Sequence, residues 1–371
     1  MKHLFLVHSP VTYLTSVAVI KEQRLSKEDA VIIFIEFEKL TQKNEQYTGV
    51  SLNEFFTNKT FLKKFYNYFR YFNISTRIDK LVDSTIKQEK FIAYIPVLLL
   101  ASKALITHPN CCTFNFIEEG LANYYREETL NSLAAINSRD PWRSSVFKNM
   151  KTIFNEMYLV LRGYNFKLQA LPFSYSCYNS FNNVKFFGLS QNSFPLIDER
   201  KKIVVSFEKK DFVSIKQPHD FILDNKIIWI GDGGVFHHGF SEALYLQGIK
   251  KGCIDFIKEK KQRNIFIKFH RDEPGYLRKK VQKLFEDNEI SFEVIPDSVI
   301  MELLLFDAKN VMLIGVYSSL LYYASIMGHQ SFSVYEFLKK EYSKIIASRD
   351  FNFYWNKVKR IENTAAIKEE L

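Results

Sequence analysis

The chain has 371 residues, 47% hydrophobic and 25% charged, a balance that fits a globular protein of two domains and excludes a disordered chain. Lys and Arg number 51 against 41 Asp and Glu, and the resulting +10 suits an anionic partner such as a nucleotide or an anionic lipid. The basic residues are spread rather than gathered into an arm and no nucleic-acid module is recognisable, so a nucleic-acid binder is the reading least favoured.

In chain order, residues 4–7 are expected as a first strand, followed by a turn through His8-Ser9-Pro10 and a helix over 12–21. Residues 30–37, rich in Val and Ile, read as a second strand. An aromatic helix is expected over 52–72, a buried helix over 91–106, a strand over 112–117 and a helix or ordered loop from Ala122. The 91–106 run carries Ser102 and Lys103 and falls short of the roughly 18 apolar residues that mark a membrane span. The opening apolar run, Met1-Lys2-His3-Leu4-Phe5-Leu6-Val7, is too short for a signal peptide. Cys111, Cys112, Cys177 and Cys253 show no Cys-x-x-Cys spacing for zinc, and reduced, buried thiols in a cytoplasmic protein are expected.

Residues 172–201 are rich in turn formers and poor in periodicity, so the expected domains are 1–198 and 199–371. In the second, strands are expected over 226–230, 264–269, 291–295, 310–314 and 331–335. The intervening helices are 241–258, N-capped by Ser241, then 274–287 with Pro274 at its start, 298–306, 318–327 and 336–346. This alternation is an α/β, doubly wound, nucleotide-binding pattern.

In open α/β sheets ligands bind beyond the carboxyl ends of the strands, and polar groups recur there. Glu118-Glu119-Gly120 ends one expected strand, and a carboxylate in that position can accept the proton of an attacking hydroxyl. Two surface carboxylates are the plainer account. His270-Arg271 ends another strand, where His can protonate a departing phosphate and Arg can pair with it. A His bonded to a loop carbonyl would look the same in sequence. Tyr317-Ser318-Ser319 stands where a strand gives way to a helix, a place for phosphate or for a simple Ser N-cap. Gly231-Asp232-Gly233-Gly234 follows a strand but lacks the G-x-G-x-x-G spacing of a dinucleotide fold, and His237-His238 in the same loop has no third metal ligand at a recognisable spacing. Neither a G-x-x-x-x-G-K-[ST] loop nor a D-x-D motif occurs.

Together these motifs resemble the bacterial sialyltransferases of the lipooligosaccharide type and their relatives, the polysialyltransferases. That family carries a D/E-D/E-G motif, then His-Pro, then Ser-Ser/Thr. Glu118-Glu119-Gly120 and Ser318-Ser319 match the first and third, while His270 takes the second with Arg271 in place of the Pro. Leu6-Val7-His8-Ser9-Pro10-Val11-Thr12-Tyr13-Leu14 resembles the family's opening strand and turn, and Pro296 through Glu302 its Pro-x-Glu segment.

The resemblance implies a GT-B-like fold, two Rossmann-like domains facing a central cleft, and inverting transfer from CMP-sialic acid to a terminal sugar of a surface glycan, lipooligosaccharide or capsule. It implies no metal and no cofactor besides the donor. Glu119 is then the base with Glu118 as fallback, and His238 remains an alternative base or an acceptor contact. His270 is the acid at the CMP phosphate. Tyr317, Ser318, Ser319, Arg271 and Gly231 lie on the nucleotide side, Glu302 holds the ribose, and Ser9 and Thr12 lie on the acceptor side. The expected partners are a nucleotide sugar and a glycan or glycolipid acceptor. The inner membrane's cytoplasmic face is a permitted docking surface, and a homodimer is open because some relatives form one. The missing Pro keeps a second donor class in play, a UDP-hexose or another CMP-activated acid sugar.

Overall fold

The computed structural model describes residues 1–35, 48–51, 70–96, 100–124, 157–165, 175–208, 211, 221–235, 241–339 and 352–361. The chain divides into two compact units, Met1–Ile215 and Lys216–Leu371.

In the first unit the elements run β1 (Lys2–Val7), α1 (Pro10–Glu22), β2 (Ala30–Phe34), β3 (Thr48–Ser51), α2 (Arg70–Ile86), β4 (Phe91–Ile95), α3 (Leu100–Thr107), β5 (Cys111–Ile117), β6 (Phe186–Gly188) and β7 (Lys202–Val204). The strands form one sheet in the order β3-β2-β1-β4-β5-β6-β7, and every pairing is parallel. Leu4, Phe5, Leu6 and Val7 are all fully buried. Burial without alternation is what a parallel strand covered on both faces requires. Ile78, Leu81, Val82 and Ile86 of α2 and Leu105 of α3 close the core over one face.

The structure departs from the sequence reading in two places here. Residues 91–106 are not one helix: β4 ends at Ile95 before Pro96, and α3 begins at Leu100. Proline disfavours helix at the residue before it, so an apolar run that looked continuous is a buried strand followed by a buried helix. The first unit also extends past the expected break at 198/199. Lys202, Ile203 and Val204 pair with Phe186, Phe187 and Gly188, which adds β7 to the first sheet. Most of the expected helix over 52–72 lies outside the described residues.

The second unit runs β8 (Ile227–Ile230), α4 (Glu242–Gly248), a π-helical segment (Ile249–Ile254), α5 (Asp255–Glu259), β9 (Asn264–Lys268), α6 (Gly275–Glu286), β10 (Ser291–Val294), α7 (Met301–Asp307), β11 (Met312–Gly315), α8 (Ser319–Ile326), β12 (Gln330–Ser333), α9 (Asn352–Trp355) and β13 (Lys359–Arg360). Ser241 caps α4 by accepting the Leu244 N–H at 3.3 Å. The expected helix over 241–258 is therefore interrupted by the wider π turn. A 3-10 turn, Tyr335–Phe337, begins the region expected as a helix over 336–346, and the residues beyond 339 there are not described.

The second sheet is parallel in the order β10-β9-β8-β11-β12-β13. Numbered within its unit, that order is 3-2-1-4-5-6, the dinucleotide-fold order, with its switch point between β8 and β11. The first sheet has the same reversal between β1 and β4. In each unit the chain therefore leaves neighbouring strands in opposite directions at one carboxyl edge, opening a crevice there.

Candidate active site

At the carboxyl edge of the first sheet, β1 leads into His8 and Ser9, and β5 leads into Glu118 and Glu119. Ser9 is the N-cap of α1: its hydroxyl accepts the Thr12 N–H at 3.2 Å, and the Thr12 hydroxyl accepts the Ser9 N–H at 2.9 Å. This reciprocal capping box joined to Pro10 fixes the start of the helix. Thr12 is fully buried, which corrects its expected place on the acceptor surface: its hydroxyl secures the turn.

The two carboxylates have different surroundings. Glu118 is fully buried and accepts from Tyr124 Oη at 2.7 Å, Leu189 N–H at 2.7 Å and Ser193 Oγ at 2.6 Å. A carboxylate so placed ties β5 to the loop after β6 and has no exposure to a substrate. Glu119 turns the other way, as a neighbour on a strand end does. Its side chain is 15% exposed, and its Oε2 meets His8 Nε2 at 2.9 Å. The Asn123 carboxamide oxygen accepts the Glu119 N–H at 2.7 Å, and Ser9 Oγ donates to the Glu119 carbonyl at 3.3 Å. Gly120 follows with φ +148°, a conformation in which a side chain is strained. Among the described residues His8 Nδ1 is buried without a hydrogen-bond partner. Putting the ring proton on Nε2, facing the carboxylate, avoids leaving a buried orphan donor.

In the second unit, Gly231, His270 and Tyr317-Ser318-Ser319 follow β8, β9 and β11, three strands adjacent in the sheet. The His270 side chain is 39% exposed. Its Nδ1 accepts the Asp272 N–H at 3.3 Å, so the neutral ring carries its proton on Nε2. Arg271 is exposed, its Nε 3.7 Å from the Asp272 carboxylate.

Beneath this turn lies a group that sequence reasoning missed. Glu273 is 4% exposed; its Oε2 accepts the His270 N–H at 2.9 Å and its Oε1 accepts the Tyr245 hydroxyl at 3.0 Å. Burial pushes its carboxyl up to about 7, with nearby Asp232 acting in the same direction and the His270 N–H, Tyr245 and Arg278 opposing. Gly231 permits the arrangement, since a Cβ there would lie 2.1 Å from Glu273 Oε2 and 2.8 Å from the His270 nitrogen. No sequence periodicity marks Glu273, and the Asp-Glu-Pro run gave the only local hint of a helix entry.

Ser318 is the N-cap of α8, its hydroxyl accepting the Leu320 N–H at 3.2 Å, and Ser319 opens the helix. Tyr354 steadies this cap from outside: its hydroxyl donates to the Ser318 carbonyl at 3.2 Å, and its ring lies 4.8 Å from that of Tyr317. Glu302, in the first turn of α7, is buried, and burial raises its carboxyl against the opposing pull of its own N–H and of Lys268. His238 lies outside the described residues. Among the described residues no group of three or more His, Cys, Asp or Glu could hold a metal ion.

Residues 3–336 match the sequence profile of the alpha-2,8-polysialyltransferases. No curated protein matches the chain. Among solved structures, the UDP-GlcNAc 2-epimerase of Neisseria meningitidis bound to UDP-GlcNAc aligns with TM-score 0.52 and 15% identity, covering 100% of this chain and 90% of the other. An S. aureus MnaA–UDP co-structure aligns with TM-score 0.54 and 10% identity over 100% of this chain and 88% of its own. These likenesses show the fold. A sialyltransferase from Photobacterium damsela aligns at TM-score 0.48 and 12% identity over 97% of this chain and 81% of its own, too loosely to bear on function.

Proposed function

The chain belongs to the alpha-2,8-polysialyltransferase family, and from that premise we propose that it moves sialic acid from CMP-sialic acid to a sugar hydroxyl of a bacterial surface glycan, inverting the anomeric carbon. As a member of that family it is a sialyltransferase-type glycosyltransferase working on a nucleotide sugar and a glycan acceptor. The observation that carries the base assignment is the contrast between the two carboxylates. Glu118 is buried and accepts from Tyr124, Leu189 and Ser193, while Glu119 is partly exposed and engages His8 through Oε2.

In the proposed step the acceptor oxygen attacks the anomeric carbon as the bond from that carbon to the CMP phosphate breaks, its electron pair leaving with CMP. The hydroxyl proton passes to Glu119, and His270 acts as the imidazolium, its Nδ1–H turned to the Asp272 carboxylate 3.7 Å away, giving its Nε2 proton to the departing phosphate and becoming neutral. Solvent then restores both groups. Ser318, Ser319, Tyr317 and Arg271 are assigned to the phosphate and nucleotide, where helix N–H groups and a guanidinium stabilise developing charge without a metal. Gly231 is assigned the close backbone approach on the same side, and Glu302 the ribose. Ser9 is assigned to the acceptor side with Glu119, as is His238.

No helix among the described residues is long and apolar enough to cross a membrane. A glycolipid acceptor would bring the enzyme to the cytoplasmic face of the inner membrane, with the +10 charge favouring an anionic surface. A homodimer is part of the same proposal. A second reading, a UDP-hexose or another CMP-activated sugar as donor, is motivated by Arg271 standing where the family has Pro.

A turnover panel without added metal tests the proposal. Consumption of CMP-sialic acid with an inverted glycosidic product is expected. Turnover of a UDP-hexose and none of CMP-sialic acid would replace it with the second reading. A folded His270→Ala protein that transfers at the wild-type rate would remove His270 from the mechanism.

A further inference from the structure

We propose that Glu273 and Arg278 are positioning residues for His270, clamping the turn after β9 from its buried and its solvent sides so that the imidazole presents its Nε2 to the phosphate. The inference rests on the reading of His270 as the acid at the leaving phosphate.

The turn His270-Arg271-Asp272-Glu273 has no proline of its own, so its shape depends on what grips it. From below, the Glu273 carboxylate accepts the His270 N–H at 2.9 Å, and the Glu273 N–H returns a bond to the His270 carbonyl at 3.0 Å. Tyr245 of α4 anchors the other carboxylate oxygen at 3.0 Å. From outside, Arg278 of α6 reaches back over the turn. Its NH2 group donates to the His270 carbonyl at 2.8 Å and to the Arg271 carbonyl at 3.2 Å, and its Nε to the Glu273 carbonyl at 2.9 Å. The guanidinium is itself set by Asp297 at 3.0 and 3.2 Å and by the Phe269 ring at 5.4 Å.

Three consecutive features of the turn's backbone, the His270 N–H and the His270 and Arg271 carbonyls, are thus held by two side chains. The ring's Nδ1 stands 3.3 Å from the Asp272 N–H and 3.7 Å from the Asp272 carboxylate, and Nε2 is the nitrogen assigned to the phosphate. Burying a carboxyl group is costly unless its bonds repay it. Here both oxygens of Glu273 are engaged, and what they order is the one turn that carries His270. A group delivering a proton must sit within hydrogen-bond reach of its target, and a misplacement of about 1 Å costs as much as ~100-fold.

The experiment compares steady-state transfer by wild type, Glu273→Ala, Glu273→Gln, Arg278→Ala, His270→Ala and the His270→Ala/Glu273→Ala double variant, with unfolding melts of each. Glu273→Ala is expected to lower kcat about 10–100-fold with donor KM changed less than about threefold. Glu273→Gln keeps an acceptor for the His270 N–H and is expected to recover most of that loss. The double variant is expected to be no slower than His270→Ala alone, because the clamp acts only through the ring. Multiplying losses, or a Glu273→Ala protein at full speed, would overturn the proposal.

Should Glu273→Ala not fold, Arg278→Ala carries the same comparison with a His270→Ala/Arg278→Ala double. Imidazole NMR of histidine-labelled protein, with the His270 signal assigned by its loss in His270→Ala, reads ring placement independently of any donor. A His270 signal unmoved in the clamp variants would also overturn the clamp. Wild-type protein inert toward CMP-sialic acid would count against the proposed function, while a shifted His270 signal would still support the clamp.

Discussion

At the scale of single residues, adjacent carboxylates acquire opposite fates from strand geometry alone. Neighbours at the end of β5 point to opposite sides, so Glu118 enters the protein and Glu119 faces the edge. Glu119→Gln is expected to lower transfer by about 100-fold to 10,000-fold, the span of general base catalysis, with a melting temperature close to wild type. Glu118→Gln should act through stability, since its amide NH2 would face one of the three donors that the carboxylate now receives. A loss of about 1–3 kcal/mol is expected, with the residual folded protein active. Rate assays beside denaturant melts separate the two, and an inactive but fully stable Glu118→Gln protein would exchange their roles. The choice between these glutamates was open in the sequence because a pair of acids at a strand end does not reveal which one is capped. Nor could His8 be found there as the partner of Glu119: the bond joins residues 111 positions apart.

At the scale of elements, long apolar strands were legible and short or interrupted pieces were not. Burial on both faces makes parallel strands such as β2, and β1 from Leu4 to Val7, stand out as unbroken apolar runs. Three-residue strands such as β6 and β7 carry too little pattern, and β7 is what moved the end of the first unit. The meeting of α4, β8 and β9 shows the same limit at a functional turn, because Tyr245, Asp232 and Glu273 come together only in three dimensions. Their packing predicts a pH signature. The Glu273 carboxyl is raised by burial from the ordinary 4.5 to about 7, so between those values the folded chain holds a proton that the unfolded chain has released. The folded state then binds more protons, and stability falls as pH rises through that window and levels off above it. The effect is a few kcal/mol at most, at roughly 1.4 kcal/mol per unit. Glu273→Gln removes the ionisation, so its stability should slope less than that of wild type between pH 4.5 and 7 in parallel denaturant melts. An identical slope in both proteins would mean that Glu273 does not titrate in this range.

At the scale of the whole molecule, each unit has a parallel sheet, a core and a carboxyl edge of its own. Leu6 and Phe116 belong to one core, and Trp229 and Ile267 to the other. Separate cores allow separate unfolding, and a protein built so departs from a single cooperative transition. The residues proposed for CMP, Ser318, Ser319, Tyr317, Arg271 and His270, all lie in Lys216–Leu371, whereas the proposed base lies in Met1–Ile215. A ligand stabilises only what binds it, by about 2.7 kcal/mol at a hundredfold excess over its Kd. For a domain of ordinary size that energy corresponds to a rise of about 5–10 °C. Calorimetry is therefore expected to resolve two transitions, with CMP raising one of them. Ile267→Ala should lower the transition that CMP raises and Leu6→Ala the other, each by about 2–5 kcal/mol as buried truncations do. If CMP raises the transition that Leu6→Ala lowers, the nucleotide belongs to the first unit and the assignment of Ser318 and His270 fails. If UDP produces the shift and CMP does not, the fold assignment stands and the donor changes.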